Sequence, residues 1–244
     1  MKAIVSAFYK EVAPIIKHYK LKKQNTPFEV FKNNEIIVII SGIGKLNSAI
    51  ATTYLLNNYK INFIINFGIA GSATKQIGEL FLINKINSNL YPDILYSHNF
   101  NETYIECFDE IKTDGNLNLV DMESEGFFKA ATKFLALENI FLIKIVSDNL
   151  ICFRPDNNFM NNLIQPHLKK IINFIETLEY KNQVLFDNIY LENLVKTYKL
   201  SVSQKEILKN KLIYLNINKI SLPIIDFEPT NRKRDFVKII QLLQ

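Results

Sequence analysis

Five predominantly apolar runs, at residues 3–8, 36–41, 61–67, 79–83 and 140–147, set the terms for any fold this chain can adopt. A strand with one wet face alternates apolar and polar residues, whereas a strand covered on both faces does not. These runs do not alternate, so they read as buried strands. Helical patterns lie between some of them. Leu46, Ala49, Ile50, Thr53 and Leu56 fall on one helical face after Gly44, and Phe127, Phe128, Ala131 and Leu135 fall on another after Gly126. Strands alternating with helices predict an α/β fold with a mainly parallel central sheet flanked by helices.

A further helix is expected over residues 165–178, with Leu168, Ile171, Ile172, Ile175 and Leu178 as its apolar stripe and Pro166 in its first turn. Past Glu179 the pattern changes to a helical, glycine-free stretch rich in Lys and Asn. A boundary near residue 180 therefore divides a main domain, 1–180, from a small helical carboxy-terminal appendage, 181–244. In the appendage Leu194, Val195, Tyr198, Leu200, Ile207, Leu208 and Leu212 predict helices with a turn near Ser201-Val202-Ser203. The net charge of +5 resides there: residues 181–244 carry 11 Lys/Arg against 6 Asp/Glu, and residues 1–180 balance at 18 and 18. Apolar residues at helical spacing need a surface to cover, so packing on the main domain or on a partner is expected in preference to nucleic-acid binding.

At 244 residues, 48% of them hydrophobic, the chain has enough apolar side chains for a sizeable core. No apolar run reaches the roughly 20 residues of a membrane span. The start, Met1-Lys2-Ala3-Ile4-Val5-Ser6-Ala7-Phe8, reads as a buried strand and not as a signal peptide. Cys107 and Cys152 are the only cysteines, which argues against a disulfide framework and fits a reducing cytoplasm. No Cys/His grouping has metal-ligand spacing, and no cofactor is expected.

All seven glycines lie between Gly42 and Gly126. Glycine permits positive φ and close approach of backbone to a ligand, so the ligand-cradling turns are expected in that stretch. Ser41-Gly42-Ile43-Gly44-Lys45 is a strand-to-helix turn whose N–H groups suit an anion or a sugar hydroxyl. Asn66-Phe67-Gly68-Ile69-Ala70-Gly71-Ser72 follows another buried run. Asp121-Met122-Glu123 precedes a helix, and Ser147-Asp148 ends the last strand. Each alone has a plainer explanation: a tight turn, a helix N-cap, a solvated acid at a strand end.

Taken in order, Ser-Gly-Ile-Gly-Lys, Asn-Phe-Gly-Ile-Ala-Gly, Asp-Met-Glu-Ser and Val-Ser-Asp resemble the nucleoside phosphorylase superfamily, over roughly residues 1–178. The likeness is strongest to its hydrolytic branch, the methylthioadenosine/S-adenosylhomocysteine nucleosidases. What the resemblance implies is an N-ribosyl hydrolase acting on an adenine-type nucleoside. Glu11 would position the water. Glu123 would bind the ribose hydroxyls, with Met122 packed on the sugar. Asp148 would protonate N7 of the base, which requires a raised pKa of the kind burial beside a purine supplies. The turns bearing Gly42, Gly44, Ala70 and Gly71, together with Lys144, would line the substrate. A homodimer whose partner completes the pocket is likewise implied.

Four departures from the family pattern bear on this. Ile69 replaces the usual Ser, Lys144 replaces an Arg and so loses its planar fork, and Asp121 replaces a Glu. The stretch from Gly78 to Glu123 is much shorter than usual, and Tyr104–Glu110 is expected to be what remains of the loop over the base. Phe108 in that fragment either stacks on the purine or belongs to the core. Arginine bears on the reaction branch, since a phosphorylase holds a phosphate dianion, usually with Arg. Arg154, Arg232 and Arg234 lie away from the glycine turns in sequence, which leaves Lys45 and Lys144 as point charges. Hydrolysis is thereby favoured over phosphorolysis, and the alternative from another class is a non-catalytic nucleoside-binding or partner-binding protein with a degenerate pocket.

Overall fold

The computed structural model describes residues 1–94, 96–151, 155–178, 188–217 and 222–243. Cys152 and Arg154 lie outside the described residues. The chain divides into two compact units, Met1–Glu179 and Tyr180–Gln244.

The first unit runs β1 (Lys2–Ser6), α1 (Tyr9–His18), β2 (Lys22–Lys23), β3 (Glu29–Lys32), β4 (Ile36–Ile40), α2 (Lys45–Asn58), β5 (Phe63–Gly71), β6 (Leu80–Ile86), β7 (Asn101–Cys107), β8 (Val120–Asp121), α3 (Ser124–Ala131), β9 (Ile140–Asp148), α4 (Asn157–Ile164) and α5 (Leu168–Thr177). The heart of the sheet is parallel: β4, β1, β5 and β9 lie side by side in that order. Antiparallel β3 and β2 extend it beyond β4. On the other side β8, β7 and β6 lead from β5 round to β9, which pairs back onto β5, so these five strands close on themselves.

The non-alternating apolar runs are explained by two cores, one on each face of this sheet. Ile4, Phe63, Ile65, Phe67, Phe141 and Ile143 point to one face, where α1, α4 and α5 cover them with residues such as Val12, Met160 and Phe174. Ala3, Val5, Ile64, Ile140 and Leu142 point to the other, under Ala51 and Leu55 of α2 and Phe127 and Phe128 of α3. Successive side chains of one strand thus enter opposite cores, and both must be apolar.

Three expectations are corrected. The inward face of α2 is Ser48, Ala51, Thr52 and Leu55, while Leu46 and Ile50 are exposed, at 73% and 47%. Small side chains let α2 lie close to its neighbours, and hydrophobicity alone pointed to the wrong face. Tyr104–Glu110 is not mainly a loop: residues 101–107 form β7, paired in parallel with both β6 and β8. Gly126 also sits within α3 rather than ahead of it. A Cβ placed there would lie 1.9 Å from the carbonyl oxygen of Lys45, so α2 and α3 meet backbone to backbone through their first turns.

The second unit has its own small core. Helices α6 (Asn188–Thr197), α7 (Val202–Ile217) and α8 (Arg232–Leu242) bring together Leu191, Leu194, Tyr198, Leu208, Leu212 and Ile239. Ile207, expected among them, is exposed. Among the described residues no helix is long and apolar enough to cross a membrane.

The contact at Gly126 yields a stability prediction. Gly126→Ala must push the two helices apart against backbone atoms, and overpacking of this kind costs about 1–3 kcal/mol or more. Urea unfolding is expected to show that loss, and a variant as stable as the parent would contradict the close approach.

Candidate active site

The carboxyl ends of the parallel strands face one edge of the sheet, where ligand sites of open α/β sheets gather. β1 ends at Ser6, β4 leads into the Gly42–Gly44 turn, β5 ends at Gly71 and β9 ends at Asp148. The acidic residues singled out from the sequence occupy this edge.

Glu11 stands in the first turn of α1, yet its side chain is turned inward and the residue is only 2% exposed. Its Oε2 accepts from the Ser6 hydroxyl at 2.5 Å and the Phe8 amide at 3.0 Å, and its Oε1 accepts from the Ile69 amide at 3.1 Å. A surface helix position is thereby ruled out. The carboxylate lies over Gly68, where a Cβ would come within 2.9 Å of Oε1, so the missing side chain at Gly68 makes room for it. Burial pushes the Glu11 carboxyl above the usual range, against the pull of Ser6, Phe8, Lys144 and Ile69.

Glu123 precedes α3, and its Oε1 accepts from the Gly44 amide at 2.8 Å. Gly44 has φ +101, a conformation that favours glycine, and so turns its N–H towards this carboxylate. The close approach of Gly126 to Lys45 brings the two turns together. Burial, then the charge of Asp121, push the Glu123 carboxyl up to about 7, while Lys144 and the Gly44 amide oppose the rise. Met122, adjacent to Glu123, is half-buried.

Lys144 was expected to line the substrate, and the structure places it differently. It is 2% exposed, and its Nζ lies 2.8 Å from Oδ2 of Asp121. Asp121 also accepts from the Ser124 amide and, at 2.5 Å, from its hydroxyl. Burial works against the Lys144 charge, but Asp121, Glu123 and Glu11 outweigh it and hold its pKa above the ordinary lysine value. Its ammonium thus serves the carboxylates of its own chain. Lys45 is committed likewise, at 3.0 Å from Glu125 and 3.2 Å from Asp109.

Asp148 is half-buried at the end of β9, opposite Gly71 in the sheet register. Its Oδ2 accepts from the Ser147 hydroxyl at 2.6 Å and its Oδ1 from the Ile151 amide at 3.1 Å. A Cβ on Gly71 would stand 3.1 Å from Oδ1, so Gly71 gives the carboxylate room. Ala70 is buried beside it, with its carbonyl oxygen 3.3 Å from the Ser147 hydroxyl oxygen. Along β5, Gly68 under Glu11 and Gly71 beside Asp148 are three residues apart, about 10 Å at strand rise. Phe108 is half-buried just past β7; its amide donates to the Asp121 carbonyl at 2.9 Å, and Lys112 stands over its ring.

Ser6 and Asp121 were not singled out as site residues. Ser6 places a hydroxyl on Glu11, and no pattern marks a single Ser inside an apolar strand. Asp121 was legible only as an N-cap or a mild family change. Cavities of about 620 Å³, beside Gly78, Asn101, Phe159 and His167, and about 590 Å³, beside Thr113 and Asn149, include neither Glu11 nor Glu123 in their walls. The buried charge at the strand ends, and not cavity size, marks this site. Among the described residues no group of His, Cys, Asp and Glu could hold a metal ion.

Residues 2–103 match the family model described as the phosphorylase superfamily. The chain is 32% identical over 144 residues to a 5′-methylthioadenosine/S-adenosylhomocysteine nucleosidase of Buchnera aphidicola, covering 55% of this chain and 60% of that one. It is 44% identical over 59 residues to the nucleosidase of the same name from Staphylococcus aureus MRSA252, covering 23% and 26%. The matches thus span less than two thirds of either relative's length. Among solved structures, a putative nucleosidase of this kind from Francisella philomiragia superposes with a TM-score of 0.59 at 15% identity, over 72% of this chain and 98% of that one. The nucleosidase from S. pneumoniae superposes at 0.58 and 19%, over 73% and 100%. Futalosine hydrolase of Helicobacter pylori superposes at 0.56 and 20%, over 72% and 97%.

The Glu123 environment has a consequence for stability. The unfolded carboxyl loses its proton near 4.5, whereas the folded one keeps it until about 7. The native state therefore binds the proton more tightly; the stability it confers is complete below the unfolded value and is lost as the pH rises through 7. Glu123→Gln has no such proton to lose. From pH 4 to pH 8 the variant should gain on the parent by on the order of 3 kcal/mol, from two and a half units at 1.36 kcal/mol each. Urea unfolding at both pH values measures this, and a pH-independent difference would rule out the shift.

Residues 2–103 are thus similar to the phosphorylase superfamily, and the unit that contains them has the α/β fold of the methylthioadenosine/S-adenosylhomocysteine nucleosidases.

Proposed function

We propose that the chain is a cytoplasmic purine nucleoside hydrolase that cleaves the N-glycosidic bond of an adenine-type nucleoside. The observation that carries this reading is the charge at the glycine turns. Glu11, Asp121 and Glu123 gather round Lys144, and both Lys144 and Lys45 are already engaged by carboxylates. Such a site favours a developing cation and is poorly suited to a phosphate dianion.

The chemistry follows from that charge. As the bond from C1′ to the base nitrogen breaks, its electron pair leaves with the purine and the sugar becomes an oxocarbenium-like cation. Glu123 accepts hydrogen bonds from the ribose hydroxyls beside that charge. Asp148 gives its proton to N7 of the departing base. Glu11 takes a proton from water as the water oxygen bonds to C1′, and its raised pKa makes it a better base than an exposed carboxylate. The backbone at Gly42, Gly44, Ala70 and Gly71 lines the substrate, with Met122 on the sugar and Phe108 against the base. The names of the relatives point to methylthioadenosine and S-adenosylhomocysteine as the first substrates to try.

A homodimer is part of this reading. Ile43, Leu46 and Ile50 present an exposed apolar stripe at the start of α2, next to the Gly44 turn. A second copy covering that stripe would stand beside the site. Sedimentation should show a dimer that Leu46→Glu dissociates; a parent that is monomeric at high concentration would remove the partner from the account.

The reaction is tested by incubating the protein with methylthioadenosine, S-adenosylhomocysteine and unmodified purine nucleosides, with and without inorganic phosphate. Free adenine with a free sugar, at a rate indifferent to phosphate, is expected. A sugar 1-phosphate would establish a phosphorylase instead. Binding without release of any base would leave a non-catalytic nucleoside-binding protein.

A further inference from the structure

Four ionisable side chains from separate elements gather where the parallel strands end: Glu11 from α1, Asp121 from β8, Glu123 from the turn before α3, and Lys144 from β9. One positive charge serves three carboxyl groups, and it is not shared evenly. Lys144 Nζ lies on Asp121 at 2.8 Å, with side chains 2% and 1% exposed. Asp121 is held in turn by the amide and hydroxyl of Ser124, and the buried Cys107 thiol lies against it from β7. Glu123 is held mainly through one oxygen by the Gly44 amide, with a longer contact of 3.4 Å from the Met122 amide. The charges of Asp121, Lys144 and Glu11 all act on it.

We propose that Asp121 and Lys144 form a buried positioning pair that sets the charge carried by Glu123, the two acting in opposite senses. Lys144 favours a negative Glu123. Asp121 disfavours it, and at the same time holds Lys144 in its buried place. The need for Lys144 follows from burial, and Asp121 is what keeps it in place. A carboxylate sunk this deep would otherwise stay neutral at the pH of the cell, and a neutral Glu123 neither stabilises a sugar cation nor accepts as strongly from ribose hydroxyls. An ordinary structural ion pair differs in its signature: removing either partner would destabilise the fold without moving a third group in opposite directions.

The bearing on catalysis rests on the hydrolase reading; the effect on Glu123 does not. The experiment is a titration of glutamate side chains by carbon-13 NMR on the full chain, with the Glu123 resonance identified by its loss in Glu123→Gln. Asp121→Asn should lower the Glu123 midpoint by about one unit, the scale of a single nearby charge. Lys144→Met should raise it by a similar amount, and Lys144→Arg should restore it. Lys144→Met alone strands a buried carboxylate and is the variant most apt not to fold. The same comparison is therefore made between Asp121→Asn and Asp121→Asn/Lys144→Met, where no partner is stranded and the second change should raise the midpoint. Midpoints that stay put, or that move in the same direction for both changes, overturn the proposal. Where the parent releases adenine, the acid limb of kcat/KM should follow the NMR midpoints. If the parent releases no base, the hydrolase reading fails while the midpoints still decide this proposal.

Discussion

The first turns of α2 and α3 touch backbone to backbone, and the candidate site depends on that contact. Gly126 leaves no room for a side chain against the Lys45 carbonyl, and the lack of one lets the chain at Gly44 come close to the chain at Glu123. The Gly44 amide reaches Glu123 across the gap, and Lys45 reaches Glu125 on the next residue but one. A glycine within a helix costs about 1 kcal/mol relative to alanine. Here it brings together two turns that are about eighty residues apart in sequence.

Burying carboxylates at strand ends has an energetic cost that the rest of the site offsets. An isolated buried charge is strongly disfavoured, and a buried ion pair recovers the loss only with good geometry and further hydrogen bonds. Each acid here has such partners: Ser6, Phe8 and Ile69 for Glu11, Ser124 and Lys144 for Asp121, Gly44 for Glu123, Ser147 and Ile151 for Asp148. Five of these eight donors are backbone amides: Phe8, Gly44 and Ser124 at helix starts, Ile69 in β5 and Ile151 past β9. The parallel sheet is therefore what satisfies the site, as well as what locates it.

Much of the fold was legible because the constraint behind it acts along the sequence. Strands covered on both faces must be apolar at consecutive positions, and residues 61–67 and 140–147 show it directly. The stripe of the α5 helix was legible for the same reason, with Ile171, Ile172 and Ile175 all buried. What escaped depends on contacts between distant segments. The inward face of α2 is small and partly polar because the helix packs closely, so the most hydrophobic face was the wrong choice. β7 was mistaken for a remnant loop because Asn101–Cys107 mixes polar and apolar residues. At the site, the acids Glu11, Glu123 and Asp148 could be named from motifs. Nothing local to Lys144 showed that its charge would be spent on Asp121, or that Ser6 would hold Glu11.

Cleavage by carboxylates at the strand ends, as proposed, is tested most sharply at Asp148. Asp148→Asn keeps the shape and a hydrogen bond to the base while removing the proton to be donated. Adenine release from methylthioadenosine, followed in single turnover alongside substrate binding, should fall by about 10²–10⁴-fold with affinity largely retained. Release at close to the parent's rate would show that Asp148 does not protonate the leaving base and would contradict the account.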